Sequence, residues 1–341
     1  MAAFRSILTS RKRRIGAAAV LALALAPGTF VRTPIPDQRE QMLAIASVED
    51  LPEEASANGF TREGVWHLTG PSLVFGGYSA LILLGNGQIG RAFSDRGSMM
   101  TFALPDTPQV GDVQLADIGD RGELTKDFPD IEAATRDPAT GDYWLAFEGA
   151  HSVIRYSEAG ALRTSRKPPE WSDWPQNSGV EAMARLPDGR FLVLPERSPD
   201  AFLYSGDPAD EAEPLRLTVD LPGDFAPTDL AALPDGRVLV LLRRVTLGWP
   251  PFNAALGIAD PSALEEGGVL AVEPLLELDR LVPRENYEGL AVQQQADGSY
   301  TLWLIADDNL ASFQRTLLAK LVWDGSLDDE TASGHEKARE E

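Results

Sequence analysis

Short apolar and polar segments alternate along this chain, and the same arrangement returns about every fifty residues. Each unit begins with a short strand that carries a polar residue near its start, passes through a turn and continues into a strongly apolar second strand. The second strands are the runs at residues 143–147, 191–194, 238–242 and 300–305. Three of the turns contain Asp-Gly, at residues 188–189, 235–236 and 297–298, and the other turn spans residues 137–142. A strand, an Asp-Gly turn and a second strand together predict a β-hairpin.

A fifth copy comes first in the chain, with an apolar run at residues 78–84 followed by an Asn-Gly turn at residues 86–87. One polar position near the start of each unit aligns across the five copies: Ser79, Glu132, Glu181, Asp229 and Glu288. These positions are separated by 53, 49, 48 and 59 residues. A repeat length near fifty is typical of the four-stranded blade of a β-propeller.

The remaining strands of each blade also have candidates, such as residues 152–156 and 215–219. The last unit lacks a fourth strand after residues 317–323, and residues 64–68 are placed to supply it from the N-terminal end. Closing the ring in this way removes exposed sheet edges. We therefore predict an all-β fold, a single β-propeller of five four-stranded blades closed by an N-terminal strand. Six blades stay open as an alternative, because the last interval is long.

The aligned polar positions indicate a site in the channel, since the first strand of each blade lines the centre of a propeller. Four carboxylates that converge there repel one another, so some must bind protons or share a cation. Oxygen ligands suit Ca²⁺, which accepts six to eight of them in flexible geometry. The predicted metal ligands are Glu132, Glu181, Asp229 and Glu288, and Ser79 is a predicted substrate contact.

A second ring is predicted where the second strands end. Its members are Asp95, Glu148, Glu196, Arg243 and Asp307. The four acids are predicted substrate contacts, and Arg243 is predicted to pair with them or to hold an anionic group. We predict catalytic roles for Glu132, Glu288 and Arg243. One alternative stays open, in which the acids bond backbone amides or face water in a wide channel.

Net charge and composition limit the classes of molecule that this protein can bind. Acidic residues number 52 against 30 basic residues, and the formal net charge is −22. This charge argues against nucleic acid and against anionic membrane surfaces, because both attract basic proteins. The chain has no cysteine and three histidines, which excludes disulfides and disfavours a His-ligated zinc site. We expect a monomer that binds a small-molecule ester or another anionic ligand through the metal.

The N-terminus has the pattern of a bacterial export signal. Five basic residues within the first 14 precede an apolar run at residues 15–26, which extends to residue 31 if Pro27 and Gly28 are included. Residues 1–31 are therefore predicted to be an export signal or an N-terminal anchor. We expect a periplasmic or secreted protein, tethered to the inner membrane if the segment is not cleaved. Residues 32–58 are predicted as a linker, 59–325 as the propeller and 326–341 as a disordered acidic tail.

Four motifs resemble the bacterial propeller family described as having esterase-like activity of phytase. They are Gly76-Gly77-Tyr78-Ser79, Phe93-Ser94-Asp95-Arg96-Gly97, Asp130-Ile131-Glu132-Ala133 with Glu148, and Asn286-Tyr287-Glu288-Gly289-Leu290. The resemblance covers about residues 60 to 325 and implies an exported protein that acts on phosphate or carboxylate esters with bound calcium. The sequence departs from the family pattern at Ala80 and Ala133, where Gly is usual, and at Asp229, which replaces Glu. Two functions stay open: a calcium-dependent ester or phosphoester hydrolase, and a non-catalytic envelope propeller that binds a ligand or a protein partner.

Overall fold

A computed structural model describes residues 41–72, 74–107, 113–119, 129–175, 178–247, 249–311 and 314–327. The predicted export segment (residues 1–31), the start of the predicted linker and the tail from residue 328 lie outside the described residues. Within the described ranges, no helix is long and apolar enough to span a bilayer.

Twenty-three strands, numbered in chain order, make up the described chain. Those before the first complete blade are β1 (Ala44–Ser47), β2 (Ser56–Ala57) and β3 (Phe60–Thr69). Blade one contains β4 (Tyr78–Leu84), β5 (Ile89–Ser94), β6 (Ser98–Ala103) and β7 (Gln114–Asp117). Blade two contains β8 (Ile131–Arg136), β9 (Tyr143–Phe147), β10 (Ser152–Tyr156) and β11 (Leu162–Arg166).

The next two blades follow the same plan. Blade three contains β12 (Val180–Arg185), β13 (Phe191–Pro195), β14 (Asp200–Tyr204) and β15 (Pro214–Asp220). Blade four contains β16 (Ala226–Ala232), β17 (Val238–Val245), β18 (Phe252–Ala259) and β20 (Glu273–Glu277). The short β19 (Val269–Ala271), which precedes β20 in the chain, pairs in parallel with β15 at the outer edge of blade three. Short 3₁₀ turns span Gly85–Gly87, Pro169–Asp173 and Leu278–Arg280.

Blade five closes the ring with strands from both ends of the described chain. It contains β21 (Asn286–Gln294), β22 (Tyr300–Asp307) and β23 (Leu317–Trp323), and β3 completes it as the fourth strand. The antiparallel register between β23 and β3 runs from Leu317 opposite His67 to Trp323 opposite Phe60, whose rings stack with centroids 5.4 Å apart. The predictions of five four-stranded blades and of closure by an N-terminal strand are confirmed.

The linker prediction needs correction for residues 41–58, because this stretch already belongs to the propeller. β1 pairs with β3 at the outer edge of blade five, and β2 also pairs with β3. The side chains of β1 are exposed, so backbone hydrogen bonds rather than apolar burial hold it. A strand held in this way leaves no apolar pattern in the sequence, and its composition resembles that of a linker.

The first strand of each blade, which we call the inner strand, carries a β-bulge at the same place. The bulge comes one or two residues after the point where pairing with the second strand begins. The bulged residues are Ser79, Glu132, Glu181, Thr228 and Glu288. A bulge adds one residue to a strand and redirects its side chain, and such bulges often lie beside functional sites. The alignment of Asp229 with the ring is therefore one residue out of register, since Thr228 takes that position in blade four.

Candidate functional site

The five bulges lie at one end of the channel, where inner strands begin and second strands end. Glutamate occupies three of the bulges, at positions 132, 181 and 288. At the other two, a hydroxyl group bonds the backbone instead. Ser79 Oγ donates to the Ile131 carbonyl of the next blade, and Thr228 Oγ1 donates to the Tyr287 carbonyl at 3.4 Å. These two hydroxyls connect neighbouring blades.

Asp229 lies beside the ring in the blade interface. It is fully buried, and its two carboxylate oxygens accept hydrogen bonds from the backbone amides of Leu230 (2.8 Å) and Leu290 (2.7 Å). Burial raises the pKa of Asp229 well above its ordinary value, and the two amide donors lower it in part. The contacts of Asp229 are those of a group that joins blade four to blade five.

We expect Asp229→Asn to lower the free energy of unfolding by about 1–3 kcal/mol, because an amide offers one acceptor where two backbone donors need partners. The substitution also turns an NH₂ group toward one of those donors. Denaturant unfolding measures the effect. The matched control is Asp220→Asn at the exposed end of β15, where we expect a change within about 0.5 kcal/mol. Equal effects of the two substitutions would contradict this role.

Arg243 brings both predicted rings together. Its guanidinium contacts Glu288 directly, lies 3.7 Å from a Glu181 oxygen and 3.6 Å from a Glu196 oxygen, and donates to the side-chain oxygen of Asn286 at 3.0 Å. One cation therefore compensates three carboxylates. Arg243 is mostly buried, so these pairs are only weakly screened by solvent. Its Nη1 atom makes the contacts with Asn286 and Glu288, and its Nη2 atom lies at ion-pair distance from the other two carboxylates.

A second group of acids lies around Glu132. One ligand oxygen each from Asp130, Glu132 and Glu148 lies within 4.8 Å of the others. Two of these side chains are oriented by backbone amides: Gly149 N donates to Asp130 at 3.1 Å, and Gly179 N donates to Glu148 at 3.1 Å. Three partly buried carboxylates at this spacing repel one another unless protons or a cation intervene.

The pKa values of Glu132 and Glu148 reflect burial first and that repulsion second. Burial raises the pKa of Glu132 well above its ordinary value, and the carboxylates of Glu181, Glu288, Asp130 and Glu148 raise it further. Burial, followed by the Asp130 carboxylate, raises the pKa of Glu148 to about 7. Each of these carboxylates is therefore costly to ionise without a cation, and Glu148 exchanges its proton near neutral pH.

The remaining two members of the second ring lie between blade five and blade one. Burial, followed by the Glu288 carboxylate, raises the pKa of Asp307 to about 8, although the Asn309 amide donates to it at 2.7 Å. Burial also raises the pKa of Asp95, which accepts a hydrogen bond from Ser94 Oγ at 3.1 Å. The structure thus brings eight acids together, which we call the acidic mouth: Asp95, Asp130, Glu132, Glu148, Glu181, Glu196, Glu288 and Asp307.

The opposite end of the channel differs in chemistry. A cavity of about 830 Å³ opens there among the turns between first and second strands. Its two arginines are already paired, Arg136 with Glu158 at 3.4 Å and Arg185 with Asp137 at 3.5 Å. Because the acids with the strongly raised pKa values lie at the other end, the acidic mouth is the better candidate for chemistry.

Two residues of the acidic mouth region were missed at the sequence level, Asp130 and Asn286. Each lies two positions before a ring glutamate, in the stretches Asp130-Ile131-Glu132 and Asn286-Tyr287-Glu288. Asn286 Nδ2 donates to Glu288 at 2.8 Å while its oxygen accepts from Arg243. The recurring polar residue two positions before the ring glutamate was the signal that could have identified both.

Comparison with solved structures finds matches of low sequence identity and low TM-score. Virginiamycin B lyase from Staphylococcus aureus is 12% identical with a TM-score of 0.41, and the match covers 82% of this chain and 99% of that one. The β-propeller domain of Cps50 (Swd1) from Myceliophteria thermophila is 11% identical with a TM-score of 0.39, over 72% and 96% of the two chains. Kuenenia stuttgartiensis hydrazine synthase is 13% identical with a TM-score of 0.38, over 73% of this chain but only 63% of that one, less than two thirds of its length. A search of the curated proteins found no match.

The family comparison is more specific. The family model of the phytase-like proteins, described as "Esterase-like activity of phytase", matches residues 74–310. This range is more than half of the chain and includes all eight acids of the acidic mouth and Arg243. The chain therefore belongs to the phytase-like family, "Esterase-like activity of phytase".

Proposed function

We propose that this protein is an exported, calcium-dependent hydrolase of esters or phosphoesters whose site is the acidic mouth. The observation that carries the proposal is the cluster of Asp130, Glu132 and Glu148, whose ligand oxygens lie within 4.8 Å of one another. Family membership supports the class of reaction. Export rests on the basic and apolar pattern at the N-terminus.

The donor set of this cluster fits calcium. All three side chains offer carboxylate oxygens, which Ca²⁺ prefers, and one carboxylate can bind it through one or both oxygens. The displaced pKa values of Glu132 and Glu148 support the same assignment, because a cation stabilises the ionised forms that burial disfavours. Asp130 thus joins Glu132 as a ligand. Asp229 is not part of this proposal, because backbone amides occupy both of its oxygens.

A bound calcium ion would supply Lewis-acid chemistry, polarising the carbonyl or phosphoryl oxygen of a substrate. The protein's own groups then handle protons and orientation. Glu148 would be ionised while it holds calcium, so its role is that of a ligand to the cation. Asp307, with a pKa of about 8, holds its proton at neutral pH and can donate a hydrogen bond to substrate. Arg243 and Asn286 hold Glu288 and Glu181 in place.

One observation favours a second function, that of a non-catalytic propeller which binds a ligand or protein partner. The two ring hydroxyls, at Ser79 and Thr228, donate to backbone carbonyls and are not presented as nucleophiles. In this alternative, calcium would contribute to stability or ligand binding without turnover. Both functions need the same cation, so binding and hydrolysis must be measured separately.

The first measurement is thermal unfolding of the full chain in EDTA and then with added Ca²⁺ or Mg²⁺. We expect a saturable rise in Tm with Ca²⁺, corresponding to about 2.7 kcal/mol at a concentration one hundred times Kd, and a smaller rise with Mg²⁺. Glu132→Gln should remove most of the rise. The control Glu211→Gln makes the same charge change on an exposed side chain and should retain it. No rise in wild type would contradict the calcium site.

Hydrolysis of a panel of carboxylate esters and phosphoesters is the second measurement. We expect activity that EDTA abolishes, and a loss of about 100-fold in Glu148→Gln, because the amide removes one carboxylate ligand of the calcium ion. A calcium-dependent Tm without hydrolysis across the panel would favour the non-catalytic alternative.

A further inference from the structure

The hairpin between β17 and β18 extends farther beyond the acidic mouth than the equivalent hairpins of the other blades. Its ladder continues for two residue pairs past Arg243, ending at Val245 opposite Phe252. In the other blades the ladder between second and third strands stops before the ring position. In blades one, two, three and five, the last second-strand residues that pair with the third strand are Phe93, Phe147, Val193 and Ile305. At about 3.4 Å per residue, blade four therefore extends several ångströms beyond its neighbours.

The tip of this hairpin, residues 245–247 and 249–251, is apolar and exposed. Val245 is 71% exposed, Trp249 is 68% exposed and Leu247 is fully exposed. The sequence from residue 245 to residue 259 contains no charged residue, in a chain whose net charge is −22. Isolated exposed apolar residues are ordinary on protein surfaces, but three at one projecting tip mark an interaction site.

The base of the tip is fixed by hydrogen bonds. Thr246 N donates to the Pro251 carbonyl at 2.6 Å across the base of the turn. Arg284, from the segment that leads into β21, donates to the Phe252 carbonyl at 3.2 Å and to the Thr246 hydroxyl. Binding through this tip therefore requires little further ordering of the backbone at its base, which lowers the entropic cost of the contact.

We propose that the hairpin tip inserts Leu247 and Trp249 into a zwitterionic lipid surface, at the boundary between headgroups and acyl chains. The proposal is independent of the calcium site. Tryptophan favours this boundary because its ring is apolar and its N–H is polar. The tip projects beyond the neighbouring blades, so a flat, deformable apolar surface fits it better than a small ligand, which needs a concave pocket.

Two features of the same face support a lipid surface as the occupant. The described chain begins there: β1 starts at Ala44 opposite Thr69, the last residue of β3, next to the start of β23. Residues 1–31 are the segment that the sequence predicts as an export signal or anchor. Only nine residues, 32–40, lie between that segment and Gln41. Because this face also carries the eight acids of the acidic mouth, anionic headgroups would be repelled, and zwitterionic headgroups are preferred.

Quenching of Trp249 fluorescence by brominated phosphatidylcholine vesicles tests the proposal with the full chain. Quenching requires contact with the acyl chains, so it reports on the tip even if the N-terminal segment also binds the vesicles. We expect brominated lipid to lower the emission of wild type, and this loss to disappear in Trp249→Phe. Leu247→Asn should lower the quenching, and the matched control Val269→Asn, an exposed apolar residue on β19, should not.

Three outcomes would overturn the proposal. The first is equal quenching of wild type and Trp249→Phe by the same vesicles. The second is quenching of Trp249 that requires phosphatidylglycerol rather than phosphatidylcholine. The third is a dimer in sedimentation without lipid that dissociates in Trp249→Phe, since the occupant of the tip would then be a second copy of the chain. None of these outcomes affects the calcium-dependent rise in Tm. The lipid proposal and the calcium proposal can therefore fail independently of each other.

Discussion

Replacing Arg243 by methionine is expected to lower the free energy of unfolding at pH 8 by about 3–5 kcal/mol, because the change leaves buried carboxylates without their cation. Arg243 contacts Glu288, Glu181 and Glu196, and the first two are almost fully buried. Methionine retains much of the volume and apolar stem of arginine, so loss of the charge dominates. The loss should shrink at pH 5, where protonation removes the repulsion. Denaturant unfolding at both pH values measures it.

Arg244→Met provides the matched control in the adjacent position. Arg244 pairs with Asp224 at 3.7 Å and with Glu277 at 3.2 Å, and both acids are largely exposed to solvent. Exposed pairs of this kind contribute about 0–1 kcal/mol. The double variant Arg243→Met with Glu288→Gln should recover part of the lost stability. A loss in Arg243→Met that is no larger than in Arg244→Met would show that Arg243 does not hold the ring together.

The propeller could be predicted from sequence because its signals are local. Each hairpin has its own turn residues and its own apolar strand, and the repeat of about fifty residues needs no long-range contact to recognise. Closure was also predictable, since the last unit lacked one strand and residues 64–68 supplied the pattern. β1 was not predictable, because its exposed side chains carry no pattern and only pairing with β3 orders it.

The site was predictable as a region but not as a set of contacts. Thr228 and Asp229 are both polar, so the sequence could not indicate which of them occupies the bulge. One residue of register decides whether a side chain points into the channel or into the blade interface. Which of the described acids form ion pairs with Arg243 (Glu181, Glu196 and Glu288) and which cluster around Glu132 depends on distances between blades. Spacing along the chain carries no information about that division.

In the absence of metal, the protein is expected to be more stable at pH 5 than at pH 8.5. Burial raises the pKa of Asp307 to about 8 and that of Glu148 to about 7, while both groups have ordinary values near 4 in the unfolded chain. Below pH 4 both states are protonated, and the contribution of each group to stability is fully present. As the pH rises, the unfolded chain loses these protons first, so stability falls until the folded groups ionise near pH 7–8. Asp307 then contributes a loss of about 4 kcal/mol between pH 5 and 8, since one pKa unit corresponds to about 1.4 kcal/mol, and Glu148, which is partly exposed and therefore screened by solvent, adds a smaller loss.

Thermal unfolding in EDTA across pH 5 to 8.5 measures this dependence, and two comparisons identify its source. Asp307→Asn with Glu148→Gln should flatten the profile, because neither replacement titrates, whereas Glu211→Gln should leave it unchanged. Saturating Ca²⁺ should reverse the slope above pH 6, since the cation binds the ionised carboxylates and competes with protons for them. A metal-free protein that gains stability as the pH rises from 5 to 8.5 would show that these carboxylates ionise without cost. The acidic mouth would then have no stored repulsion for calcium to relieve.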